Sequence, residues 1–115
     1  MEEKNSLLKT KERVDHRLKK NKHFSYIYKK GKKTNSNHFT LFSVPSKYRA
    51  YKLGISVSKK LGKANVRNKL KRRIKEIIRL GKLPKDNFNY VILARDGAQN
   101  LTFDEIQKEL IGLFA

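Results

Sequence analysis

Leu53-Gly54-Ile55-Ser56-Val57-Ser58-Lys59-Lys60-Leu61-Gly62, running through Lys63 into Ala64-Asn65-Val66-Arg67-Asn68-Lys69-Leu70-Lys71-Arg72-Arg73-Ile74-Lys75-Glu76, joins a strand to a long helix around which the other elements are placed. In its first half Leu53, Ile55 and Val57 alternate with Lys52, Gly54, Ser56 and Ser58. That period of two is the mark of a half-buried strand from about Tyr51 to Ser58. Beyond Gly62 the period becomes helical and continues from about Ala64 to Leu80, with Gly81 as the stop and Pro84 beyond it. At about 100° per residue, Val66, Leu70, Ile74, Ile77 and Ile78 form one apolar stripe. Asn65, Asn68, Arg72, Lys75 and Arg79 stand opposite, with Arg67 and Lys71 on one flank and Lys69 and Arg73 on the other. Only Glu76 opposes their charge.

Upstream of this stretch, Asn21 is placed to cap a short helix that runs to Lys30 and stops at Gly31, with Phe24, Ile27 and Tyr28 on one face. Lys29, Lys30, Lys32 and Lys33 crowd its exit. Phe39-Thr40-Leu41-Phe42-Ser43-Val44 reads as a strand stopped by Pro45. Phe39, Leu41 and Ser43 take one face, and Thr40, Phe42 and Val44 the other. Aromatics on both faces mean either that both are covered or that Phe42 is offered to a ligand. The short connection from Pro45 to Ala50 suits antiparallel pairing of this strand with the next. Downstream, Asn89 to Ala94 is a compact apolar strand suited to the middle of a sheet, and Arg95-Asp96-Gly97 turns the chain. The last helix starts on a capping box, Thr102 with Glu105, flanked by Leu101 and Ile106 at the staple positions. Phe103, Ile106, Leu110, Leu113 and Phe114 give its apolar side. The expected architecture is α+β: one α-β-β-α-β-α domain over residues 17–115, with helices packed on a small mixed sheet, preceded by a flexible arm at 1–16.

Charge then narrows the function. The chain has 115 residues and a formal net charge of +19. Residues 16–75 hold 20 Lys or Arg and no carboxylate, so this block alone carries +20. Such self-repulsion gives a compact domain no stability and calls for a polyanionic partner, most simply nucleic acid. Lys63, Arg67, Lys71 and Lys75 form an i,i+4 ladder of like charge, which opposes the helix until an anion lies along it. A generic solvated face would mix signs. The chain contains no helix-turn-helix pair, zinc-ligand set or basic-zipper heptad, and strands with aromatics beside a basic helix suit single-stranded RNA. Without cysteine there is neither a disulfide nor a thiolate metal site, which fits a cytoplasmic protein. The longest clean apolar run, Tyr90 to Ala94, is far too short to span a bilayer. A protein-held metal nuclease needs carboxylates, and the basic block offers none. Asp104, Glu105 and Glu109 are accounted for by capping and solvation, and His16, His23 and His38 as surface residues in basic surroundings.

The strand G-I-S-V-S-K-K at Gly54–Lys60 and the helix that follows, with its Arg67-Asn68-x-x-Lys71-Arg72 core, closely resemble the protein subunit of bacterial ribonuclease P. Arg17-Leu18-Lys19-Lys20-Asn21, Phe24, Tyr28-Lys29-x-Gly31 and Tyr90 to Arg95 match the same family in order, so the likeness covers about residues 17–114. The helix entry departs from the family's G-N-A-V, reading Gly62-Lys63-Ala64-Asn65, and Arg73 stands at a usually apolar position, from which it is expected to snorkel.

The resemblance implies a ribosomal S5 domain 2-like fold with a left-handed βαβ crossover, where general rules favour the right-handed one. It implies a protein without catalytic residues of its own, assisting a catalytic RNA in removing the 5′ leader from precursor tRNA. Magnesium would be held by the RNA, with no cofactor, metal, membrane or small-molecule substrate on the protein. By position, Lys59, Lys60, Arg67, Asn68, Lys71, Arg72 and Lys75 would bind the RNA subunit. Phe24, Tyr28, Thr40 and Phe42 would hold the leader. A ribosomal protein would explain charge and size but not the ordered motifs, and a polybasic membrane-surface protein should prefer anionic vesicles to RNA.

Overall fold

The computed structural model describes residues 16–115. The elements run α1 (Asn21–Lys30), β1 (Lys32–Asn35), β2 (Phe39–Pro45), β3 (Lys52–Val57), α2 (Ala64–Gly81), β4 (Phe88–Ala94) and α3 (Phe103–Phe114), with 3₁₀ turns at Lys59–Leu61 and Ala98–Asn100. The four strands form one mixed sheet in the order β1-β2-β4-β3. β4 is central, antiparallel to β2 and parallel to β3, while β1 is antiparallel to β2 at the edge.

Two expectations are corrected here. β2 and β3 do not pair: β4 enters between them, so the Pro45–Ala50 connection steps over a strand. β4 is the most thoroughly apolar strand, with Tyr90, Val91, Ile92 and Ala94 all buried, and the central position is the one that covers both of its faces and both of its edges. β1 lay unseen in the sequence because Lys32, Lys33 and Asn35 are exposed, and a polar edge strand has no apolar alternation to betray it.

Period-two alternation divides the core. Phe39, Leu41, Val57, Tyr90, Ile92 and Ala94 face α2 and α3 and pack with Leu70, Ile74, Ile77, Ile78, Ile106 and Leu110. Phe42, Val44 and Val91 face the other way, under Ile27 of α1 and Leu18. Both sides of β2 are therefore covered, which accounts for its aromatics on both faces. The segment before α1 is part of the fold too. Leu53 N–H donates to His16 O, Leu18 N–H donates to Leu53 O, and the His16 ring stacks on Tyr51 with centroids 3.8 Å apart. The expected arm at 1–16 lies outside the described residues except for His16, which is packed.

Helix ends differ in detail from expectation. Lys20, not Asn21, is the N-cap of α1, without a side-chain cap bond. Gly31 is required at its exit by close approach: a Cβ there would lie 2.5 Å from Ile27 O and 3.2 Å from Ser43 O. Gly81 is the last residue of α2, and Lys82 takes the left-handed cap at φ 48°, its N–H donating back to Arg79 O. Val66 falls off the core stripe and is exposed, as is Phe103 on α3. The capping box at Thr102 and Glu105 is formed reciprocally.

Candidate nucleic-acid interface

Helix α1 lies across one sheet face and divides it. Strand register sets three rows on that face: Val44–Asn89–Lys52, Phe42–Val91–Gly54 and Thr40–Leu93–Ser56. α1 sits over the middle row. Gly54 makes room for the Phe24 ring, since a Cβ there would fall 2.5 Å from two ring carbons. The Tyr28 ring meets Phe42 edge-on at 5.0 Å, and Phe24 and Tyr28 are 6.5 Å apart.

The expected leader residues are thus gathered on one flank of α1, at unequal depth. Tyr28 is 39% exposed and Phe24 half-buried, whereas Phe42 is 9% and Thr40 2% exposed. Thr40 Oγ1 donates to Asn35 Oδ1 at 2.8 Å, tying β2 to β1 beside the flank. Tyr28 and Phe24 are the rings within reach of a ligand, and Phe42 backs them. Half-buried Leu93 and Ser56 share the Thr40 row and extend its floor. The sequence signalled neither residue as part of a site, because their row exists only once β4 is known to lie between β2 and β3.

The expected RNA-subunit residues lie along α2 and its entry. Lys59 and Lys60 are exposed on the 3₁₀ turn, where Ser58 Oγ accepts from Lys60 N–H at 3.2 Å. Arg67 Nε–H donates to Gly62 O at 3.1 Å, which fixes this guanidinium at the helix entry. Asn65 Oδ1 accepts from Val66 N–H. Asn68, Arg72 and Lys75 are exposed, and Lys71 is half-buried. Among the described residues, none of Lys59, Lys60, Lys63, Lys71, Arg72 and Lys75 has a carboxylate within ion-pair distance, whereas Arg79 pairs with Glu76 at 3.0 Å. Arg73 points to the other flank, where Nη1–H donates to Leu101 O at 3.4 Å.

A groove of about 510 Å³ along the β3 edge brings one residue of the first set, Phe24, near two of the second, Lys71 and Lys75. Phe24 and Gly54 line it from one side, Lys71, Lys75 and Arg79 from the other, with the stacked His16 and Tyr51 at its end. Burial pushes the Tyr51 phenol up from its ordinary value, so it stays neutral. An aromatic wall faces a cationic wall here, the pairing that takes up stacked bases and their phosphates together.

Away from this surface, two residues read as solvated form a junction. Glu109 accepts from Ser36 Oγ at 2.6 Å and His38 N–H at 2.8 Å, and its other oxygen lies 2.7 Å from His38 Nδ1. Glu109 is therefore an internal tie between α3 and the β1–β2 turn, and His38 has a carboxylate partner. Arg95 donates to Ser36 O beside them. Among the described residues no group of three His, Asp or Glu side chains could hold a metal ion. No helix there is long and apolar enough to cross a membrane.

Comparison with known proteins bears on the whole of this arrangement. The family model described as Ribonuclease P matches residues 13–115. The ribonuclease P protein component of Staphylococcus carnosus is 43% identical over 99 residues, covering 83% of this chain and 84% of that one. That of Clostridium botulinum is 38% identical over 102 residues, covering 86% and 91%. Among solved structures, the RNase P protein of Staphylococcus aureus superposes with a TM-score of 0.81 at 38% identity, covering 87% of this chain and 93% of that one. The Thermotoga maritima RNase P protein gives 0.78 at 31% identity, covering 85% and 94%.

Proposed function

The chain belongs to the ribonuclease P protein family, whose members are subunits of the ribonuclease P endoribonuclease, and from that premise we propose that it binds the catalytic RNA through α2 and holds the 5′ leader of precursor tRNA on the Phe24–Tyr28 flank of α1. The observation that supports this reading is the groove that sets Lys71, Lys75 and Arg79 of α2 across from Phe24 of α1, whose ring neighbours Tyr28. In this arrangement Lys59, Lys60, Arg67, Asn68, Lys71, Arg72 and Lys75 meet RNA phosphates and sugars, fixing register without reading sequence. Tyr28 and Phe24 stack on leader bases, and each stacked base contributes roughly 1–3 kcal/mol. Phe42 and Thr40 act from beneath, holding Tyr28 and the strand edge in place.

The chemistry itself belongs to the RNA on this reading. Magnesium held by the RNA would supply the water-activating chemistry, and the basic block of the protein, lacking carboxylates, supplies screening of the crowded phosphates instead of metal ligands. The setting is the cytoplasm, where precursor tRNA is made.

The test is cleavage of precursor tRNA by the cognate catalytic RNA at low magnesium, with and without the protein. Stimulation is expected, and its absence would sink the proposal. Tyr28→Ala separates the leader role from general binding. Tyr28 is exposed enough to remove without opening the core, whereas Phe42→Ala would also cost about 3–5 kcal/mol of stability. The Tyr28 variant should lose affinity for leader-bearing tRNA and keep its affinity for the mature form; equal losses would remove the leader assignment.

A further inference from the structure

The opposite flank of α1 carries a second groove of about 480 Å³. Its floor is the Val44–Asn89–Lys52 row with Pro45, and its wall is His23, Tyr26 and Ile27 of α1. Tyr26 and Tyr48 stand at its mouth, 57% and 68% exposed, among the most exposed large rings of the described chain. Lys47 Nζ lies 5.6 Å from the centre of the Tyr48 ring. Lys20 and Lys47 stand beside the groove with Arg17, Lys19 and Lys52 also in its lining, and among the described residues no carboxylate lines it. Exposed tyrosines beside lysines suit single-stranded nucleic acid, where each base has a face to stack and each linkage a charge to neutralise.

The occupant follows from position. The Tyr26–Tyr48 groove and the Phe24–Tyr28 flank lie on the same sheet face, on either side of α1, whose diameter with side chains is about 10–12 Å. Its basic ends, Lys19 and Lys20 at one and Lys29 and Lys30 at the other, offer phosphate contacts on the way around. Resting on the leader assignment above, we infer that the Tyr26–Tyr48 groove binds leader nucleotides upstream of those held on the Phe24–Tyr28 flank, so that a long leader wraps α1. This makes the protein a gauge of leader length.

The experiment compares the reconstituted holoenzyme on one tRNA with leaders of about 4 and about 16 nucleotides, the span of single-strand site sizes. The variant Tyr26→Ala/Tyr48→Ala removes two exposed rings, and unchanged melting confirms that it folds. It should weaken binding of the long-leader substrate roughly tenfold and leave the short-leader substrate unchanged. Tyr28→Ala in parallel should weaken both. Equal weakening of both by the double variant would hand the groove to the RNA subunit and overturn the inference. No weakening of either would overturn it as well. If Tyr28→Ala spares both substrates, the leader assignment itself fails, whatever the double variant does.

Discussion

Glu109 accepts hydrogen bonds from Ser36 Oγ and His38 N–H, so Glu109→Ala leaves the half-buried His38 N–H without an acceptor and Ser36 Oγ with only its long bond to Phe39 O at 3.3 Å. A destabilisation of roughly 1–3 kcal/mol is expected at neutral pH. Its pH dependence has a definite sign. Burial pushes the carboxyl up, but hydrogen bonds from Ser36 and His38 and the charge of His38 outweigh it, so the folded value lies below the ordinary 4.5. A depressed carboxyl contributes stability that is full above 4.5 and is lost as pH falls through the folded value. Thermal melts should therefore show a wider gap between wild type and Glu109→Ala above that point than below it; a gap that widens in acid would refute the assignment. None of this was legible in sequence, where Glu109 is one more carboxylate on an exposed-looking helix face. In the sequence Gly54 is a small residue of an alternating strand, with nothing to say what it faces. The Phe24 ring settles it, and Gly54→Ala should cost about 1–3 kcal/mol by overpacking while displacing Phe24. Measured together, stability and leader affinity should both fall, the second even in samples that remain fully folded.

The α2 helix carries two requirements that conflict, and single substitutions should separate them. Lys71 stands four residues from both Arg67 and Lys75. Lys71→Glu turns two like-charge neighbours into two opposite pairs, each worth about 0.2–0.5 kcal/mol on a helix. The free protein should melt slightly higher and bind RNA less well. Arg72→Ala, at an exposed position without a carboxylate partner among the described residues, should leave melting unchanged and reduce the salt slope of RNA binding by about one. An unchanged slope would mean that Arg72 meets no phosphate. This opposition is what sequence could express well: charge sign and helical period are local, so α2, its stripe and its basic flanks were readable residue by residue. α3 announced itself equally through Thr102 and Glu105. Strand partnership is not local. The Pro45–Ala50 connection has the length of a hairpin, and nothing within β2 or β3 says that β4, arriving some thirty residues later in sequence, will take the place between them. β1 was hidden for a different reason. Its ladder to β2 is made by the backbone of Lys32 to Asn35, and backbone hydrogen bonds leave no trace in side-chain polarity.

At the scale of the whole molecule the charge is unbalanced in a way that folding must tolerate. The chain carries +19, and the stretch from 16 to 75 has no carboxylate, so α1, β1, β2, β3 and most of α2 repel one another across the sheet. Coulomb repulsion between exposed charges falls with ionic strength as the Debye length shrinks from about 30 Å at 0.01 M to about 8 Å at 0.15 M. Raising salt over that range should therefore stabilise the free protein. Each kcal/mol relieved should raise the melting temperature of a domain of about 100 residues by roughly 4 °C or more. RNA affinity should move the other way over the same range, because counterion release drives binding less strongly as salt rises. Bound RNA should restore the lost stability by mass action, through RT ln(1 + [L]/Kd), and should do so less well at high salt. The measurement is a pair of curves, melting temperature and RNA dissociation constant against sodium chloride. Both should rise with salt for the free protein, while the RNA-bound complex melts lower as salt increases. A free protein whose melting temperature is flat or falls with salt would show that its cations are already neutralised within the fold, and would remove the electrostatic reason for a polyanionic partner.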